Sequence, residues 1–178
     1  MLSIVGVLLA SGCTSMPPSG AEQSPTDASP RSPFEIVAPI HYQGTVVNDS
    51  NTEMTALVFN LTVAPERRVS GVSAQDSEVN ITTMYITYTD GRDLYFLDPG
   101  DYSFSQQETG DGDDTLEPGE VVELALPLRQ QPIPANTNVY IEFWTPYHGA
   151  LTLSFRTPDV IEASGQVTEF VAAPFVPH

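Results

Sequence analysis

Beyond residue 33, hydrophobic residues recur at every second position over most of the chain. Leu57, Phe59, Leu61 and Val63 share one side of an extended segment, and so do Val122, Leu124, Leu126 and Leu128. The alternation returns in Val139, Ile141 and Phe143, and again in Leu151, Leu153 and Phe155. Period two sets these side chains on one face of a strand, whereas an amphipathic helix needs apolar residues three and four apart. Met84, Ile86 and Tyr88 stand out of phase with Val79 and Ile81, which predicts a β-bulge near Thr82 and Thr83 that exchanges the faces. Turn chemistry divides the runs: Asp90-Gly91 is a hairpin signal, and Asp98-Pro99-Gly100, Pro118-Gly119 and His148-Gly149 mark further reversals. Without helical crossovers the strands must pair antiparallel. The expected fold is all-β, an antiparallel immunoglobulin-like β-sandwich of about 7–9 strands, over residues 34–178.

The alternation does not extend into the first 33 residues. An apolar run from Leu2 to Ala10 leads into Ser11-Gly12-Cys13, the small residues before a cysteine that a lipoprotein signal peptidase requires. The run is about half the length that crosses a bilayer, so residues 1–12 read as a lipoprotein-type signal peptide and Cys13 as the lipidation site. Ala10 stands where leucine is commoner, and the opening Met1-Leu2-Ser3 lacks a basic residue. Cys13 is also the single cysteine, which leaves no disulfide to be made within the chain. Two acyl chains on it would anchor the protein stably. From Thr14 to Pro33 the chain is rich in proline and serine with no Val, Ile, Leu or aromatic residue, a composition unable to form a core. Residues 13–33 are therefore expected to be a tether, reaching roughly 25 Å as a coil and about 60 Å if stiffened toward polyproline II.

Six basic residues, all arginine, face 23 acidic ones, a net charge of −17. Such a field repels phosphate backbones and excludes nucleic acid as a partner. It also keeps a surface hydrated outside the cell or in high salt, although GC-rich codons would produce the same preference for arginine. Enzyme motifs are missing: His41, His148 and His178 have no second ligand at coordinating spacing, and no nucleophile elbow or phosphate loop occurs. The protein is expected not to be an enzyme. Asp111, Asp113, Asp114 and Glu117, in a glycine-rich loop that runs from Glu108 to Glu120, offer the hard oxygen donors that calcium takes. The spacing is not that of an EF-hand, and a solvated hairpin of mutually repelling carboxylates is the other reading. No cofactor is expected apart from this possible calcium. Three acceptor triplets, at Asn48, Asn60 and Asn80, are candidate glycosylation sites. Asn60 alternates with Phe59 and Leu61 and is expected to point outward.

Three stretches together resemble one family. Ile81 to Gly91 ends a threonine-rich strand in Tyr88-Thr89-Asp90, Asp111 to Leu124 carries an acidic turn into Leu116-Glu117-Pro118-Gly119-Glu120, and Gly149 to Ile161 closes with Phe155-Arg156-Thr157-Pro158. In this order they resemble the outer β-domain of archaellins, the subunits of the archaeal swimming filament, over roughly residues 40–161. The resemblance implies a structural protein, often glycosylated and in some members metal-binding. Archaellins polymerise through a long apolar N-terminal helix released by a prepilin-type peptidase, and this chain shows neither that cleavage site nor that helix. The expectation is a lipid-anchored relative on the extracellular face of the cell membrane, structural or adhesive, with other cell-surface or filament proteins as partners. Trp144, Tyr147 and the tail from Phe170 to Val176 are candidates for such docking. Two alternatives remain, a surface lipoprotein that binds a small ligand or calcium through its loops, and an enzyme or enzyme-accessory domain supported only by abundant carboxylates.

Overall fold

A computed structural model describes residues 34–48, 51–63, 78–107, 110–128, 131–146 and 149–174. Cys13 and the tether, along with Glu108, Tyr147, His148 and His178, lie outside the described residues. The described chain forms twelve strands: β1 Phe34–Asn48, β2 Asn51–Val63, β3 Val79–Asn80, β4 Tyr85–Thr89, β5 Leu94–Leu97, β6 Ser103–Gln106, β7 Thr115–Leu116, β8 Val121–Pro127, β9 Asn138–Thr145, β10 Gly149–Arg156, β11 Ser164–Val167 and β12 Phe170–Pro174. Every pairing is antiparallel. One five-stranded sheet has the order β11-β1-β2-β8-β6 and the other β12-β10-β9-β4-β5, with β3 and β7 forming a short third sheet. The count exceeds the expected seven to nine because short edge strands and the two-residue pair β3-β7 carry too little alternation to be seen in the sequence. The segment from Phe170, expected as a tail, is edge strand β12 of the second sheet.

Alternation builds the core. On β2, Met54, Leu57, Phe59, Leu61 and Val63 are buried, and on β9 Val139, Ile141 and Phe143 are buried. Inward residues of both large sheets join in one buried cluster with Val79, Ile81 and Leu116 of the small sheet region. The Phe59 and Phe143 rings meet edge to face at 5.3 Å and 78° across the two sheets. Such a pair adds about 1 kcal/mol to the burial of its rings. Tyr42 of β1 lies over Gly165 of β11, its register partner. A Cβ on Gly165 would come under 3.0 Å from that ring, so only glycine fits there.

Register places several features at one end of the first sheet. Phe34 pairs with Val63, and Thr62 pairs with Val121, so the start of β1 and the start of β8, with the acidic turn before it, flank the end of β2 at the same end of the sheet. The opposite end carries the β1-β2 hairpin, where Val46 and Val47 are exposed.

The phase change between Ile81 and Met84 is real, but its device is not the expected bulge. Ile81–Thr83 form a single 3-10 turn, capped by Asn80, whose side chain accepts from the Thr82 amide. The turn lets Val79 face the core before it, Ile81 from within it, and Met84, Ile86 and Tyr88 after it. A short hydrogen-bonded turn suits this site because Asn80 and the adjacent threonines supply local bonds that a strand would lack. The Tyr102 hydroxyl holds the turn from the other side, donating to the Met84 carbonyl at 2.6 Å with the Ile81 carbonyl 3.2 Å away.

Burial pushes the Tyr102 hydroxyl from the ordinary 10.0 up to about 12, with the neighbouring Tyr85 adding to the rise. A raised phenol keeps its proton in the fold after the unfolded chain has lost it. Stability from this group is therefore complete below pH 10.0 and falls as pH climbs toward about 12. Tyr102→Phe should lose about 1 kcal/mol at neutral pH. It should also show a smaller decline in denaturant midpoint than the parent when unfolding is followed from pH 9 to 12.

Candidate functional site

The acidic turn is organised by its least exposed member. Glu120 alternates with Val122, Leu124 and Leu126, so strand phase carries its side chain inward, and it is buried. Its two carboxylate oxygens accept from the Asp111 amide at 3.2 Å and the Glu117 amide at 3.0 Å. Its backbone carbonyl accepts from the Thr62 hydroxyl at 2.7 Å, which fastens the turn to β2. Around this anchor the aspartates cap their own loop: Asp111 Oδ1 accepts from the Asp113 amide at 3.1 Å, and Asp113 Oδ1 from the Thr115 amide at 2.6 Å. Gly112 and Gly119 adopt φ of +92° and +97°, which the reversals require.

Asp111, Asp113, Asp114 and Glu117 are all exposed. The Glu117 carboxyl is pushed above the usual range by desolvation and then by the charges of Glu78, Glu120, Asp111 and Asp113. Among the described residues no group of three or more His, Cys, Asp or Glu side chains is placed to hold a metal ion.

The sequons differ in setting. Asn80 is exposed, with Oδ1 accepting from the Thr82 amide at 2.9 Å and from the Thr82 hydroxyl at 2.6 Å. Asn60 faces away from the core as expected, yet its Oδ1 is buried and makes no hydrogen bond among the described residues. Asn48 ends β1.

His41 lines a shallow groove of about 540 Å³ on the outer face of the first sheet with Glu123 and Ser164. Register sets His41 beside Val58 on β2 and Glu123 one strand further, on β8. Among the described residues no hydrogen bond joins the three side chains.

The outer face of the second sheet is different in character. Tyr85, Leu94, Phe96, Tyr140, Trp144 and Val171 are each about half exposed or more, and all six lie on it. Between them stand Thr87, Thr89, Thr152, Ser154 and, on central strand β9, Glu142. Beside β12 the face continues into a groove of about 580 Å³ that includes Tyr140, Arg156, Glu169 and Val171. Trp144, a docking candidate from the sequence, lies on this face. The rest of the face is visible in sequence only once Tyr85, Phe96 and Tyr140 are known to share a side.

No family model matches the chain, and no curated protein matches it in sequence. Solved structures do match. The archaeal flagellin FlaB1 of Methanocaldococcus jannaschii superposes with a TM-score of 0.54 at 10% identity, covering 82% of this chain and 98% of the flagellin. The fold is that of archaeal flagellins. The archaeal flagellum of Methanospirillum hungatei strain JF1 agrees, at TM-score 0.53 and 12% identity over 77% of this chain and 72% of that one. The periplasmic stator complex FlaF and FlaG of Sulfolobus acidocaldarius superposes less well, at 0.45 and 14% identity over 82% and 100% of the chains. In this flagellin-like sandwich, the segments Ile81 to Gly91 and Asp111 to Leu124 form the 3-10 turn with β4 and the β7-β8 acidic turn, and Gly149 to Ile161 contains β10.

Glu120→Ala strips two loop amides of their acceptor and should lower unfolding stability by about 2 kcal/mol. Asp114→Ala, at an exposed position of the same loop, should change it by less than about 0.5 kcal/mol. Urea denaturation of the two variants checks the contrast.

Proposed function

We propose that the chain is a membrane-anchored extracellular protein of the archaellum or cell envelope, structural or adhesive and without catalysis, related to the archaellin outer domain. The observation that supports this most is the flagellin fold, matched over nearly the whole length of FlaB1. The lipobox-like residues before Cys13 and the tether composition support the anchor. Among the described residues no helix is long and apolar enough to cross a membrane. The fold then serves as a rigid module held out from the surface, with its strand faces free for contacts with other surface or filament proteins.

The anchor is tested by fractionating cells that express the full chain. The wild type should remain with membranes through high salt and alkaline washes and leave only with detergent. Cys13→Ala should appear in the soluble or secreted fraction, and an equal membrane share for both would overturn the anchor.

Glycosylation belongs to the same reading. Asn80 presents an exposed side chain whose Oδ1 already engages the sequon threonine, whereas Asn60 is half-buried with its Oδ1 enclosed. Glycopeptide mass spectrometry of the native protein should find glycan on Asn80 and an unmodified Asn60. The reverse occupancy would remove this assignment.

A further inference from the structure

The half-exposed face of the second sheet has a carboxylate near its centre. Glu142 alternates with the buried Ile141 and Phe143, so it stands on the outer face of β9, the middle strand of five. Its cross-strand partners are Thr87 on β4 and Thr152 on β10, both small. Two residues along the strand on either side, about 6.8 Å away, stand Tyr140 and Trp144, which are 48% and 46% exposed. Tyr85 pairs with Trp144, and Phe96 lies just beyond Thr87. The half-buried carboxylate thus stands between short threonines across the strands and aromatic residues along its own strand.

Nothing described in the fold neutralises that charge. Among the described residues the single ion pair is Arg92 with Asp90, and the Arg156 Nε is spent on Asn136 Oδ1 at 2.7 Å. A half-buried carboxylate among apolar rings gains most from a cation that can also rest on the ring faces, whose π-clouds are negative. A second copy of this chain is a poor occupant. It carries no lysine and a net charge of −17, and a two-fold pairing centred on this face would bring Glu142 against Glu142.

We propose that this face docks a partner protein by receiving a lysine or arginine side chain on Glu142 between Tyr140 and Trp144, with Tyr85 and Phe96 packing against apolar neighbours of that cation. The acidic field of the domain would steer such a partner toward it. The proposal goes beyond the envelope reading and stands whether or not Cys13 is acylated.

Trp144 is the only tryptophan in the chain, so its fluorescence reports occupancy directly. The probe is a blocked pentapeptide of alternating leucine and arginine, titrated into the full chain at about 0.15 M salt, where long-range charge is screened. Its counterpart carries citrulline, which keeps the shape and loses the charge. A saturable shift of Trp144 emission is expected with the arginine peptide, with binding at least tenfold weaker for citrulline. Glu142→Gln should weaken arginine-peptide binding about tenfold, and Glu117→Gln, which removes a charge from the acidic loop instead, less than twofold. Should Glu142→Gln fail to fold by circular dichroism, Phe96→Ser is the second variant, expected to weaken binding at least threefold. Three results would each overturn the proposal: equal binding of the two peptides, equal losses from Glu142→Gln and Glu117→Gln, or sedimentation showing self-association through Trp144 without any peptide effect.

Discussion

Two sheets bury one face each against the other, and the contact of Phe59 with Phe143 marks where they meet. Because successive strand residues point to opposite sides, a slip of one position would turn an entire strand inside out. The molecule therefore absorbs each interruption of phase locally. The 3-10 turn at Ile81–Thr83 does so between β3 and β4, and β1 shifts register between Val37 and His41, across Ala38-Pro39, and again near Gly44 and before Asn48. β1 tolerates the proline because the irregular stretch gives up ladder bonds that a missing amide could not supply.

The period-two runs were enough to read the layers. Leu57 to Val63 and Val122 to Leu128 became neighbouring strands β2 and β8, and Val139 to Phe143 and Leu151 to Phe155 became neighbouring β9 and β10. Asp90-Gly91 joins β4 and β5 as turn chemistry required, with Gly91 at φ +87°. What stayed hidden was of two kinds. Strands such as β6, β7 and β11 are too short for alternation to register, and their pairing comes from distant partners. The device at Ile81 to Thr83 depended on Asn80 and Tyr102 offering hydrogen bonds, a competition between local bonds and sheet that hydrophobic pattern does not record.

Charge is distributed by geometry as much as by number. Asp90, Asp98, Asp101, Asp111, Asp113 and Asp114 all occupy the connections between strands, where backbone amides and, for Asp90, the Arg92 guanidinium meet them. Glu120 and Glu142 are placed differently, and strand parity accounts for both. Glu120 shares the inward phase of β8 and is enclosed with two amide donors, while Glu142 shares the outward phase of β9 and is left among aromatic rings. The clustering of the loop carboxylates is visible along the chain, whereas the placement of Glu120 and Glu142 on a face is not.

The pairing of Phe34 with Val63 and of Thr62 with Val121 gives the domain a polarity along its strands. The covalent route back to Cys13 leaves from the end that bears the acidic turn, and the exposed Val46 and Val47 cap the far end. Were the proposed anchor at Cys13 in place, the acidic turn would face the tethered side of the domain and the exposed valines the side away from it, where passing surfaces are met first.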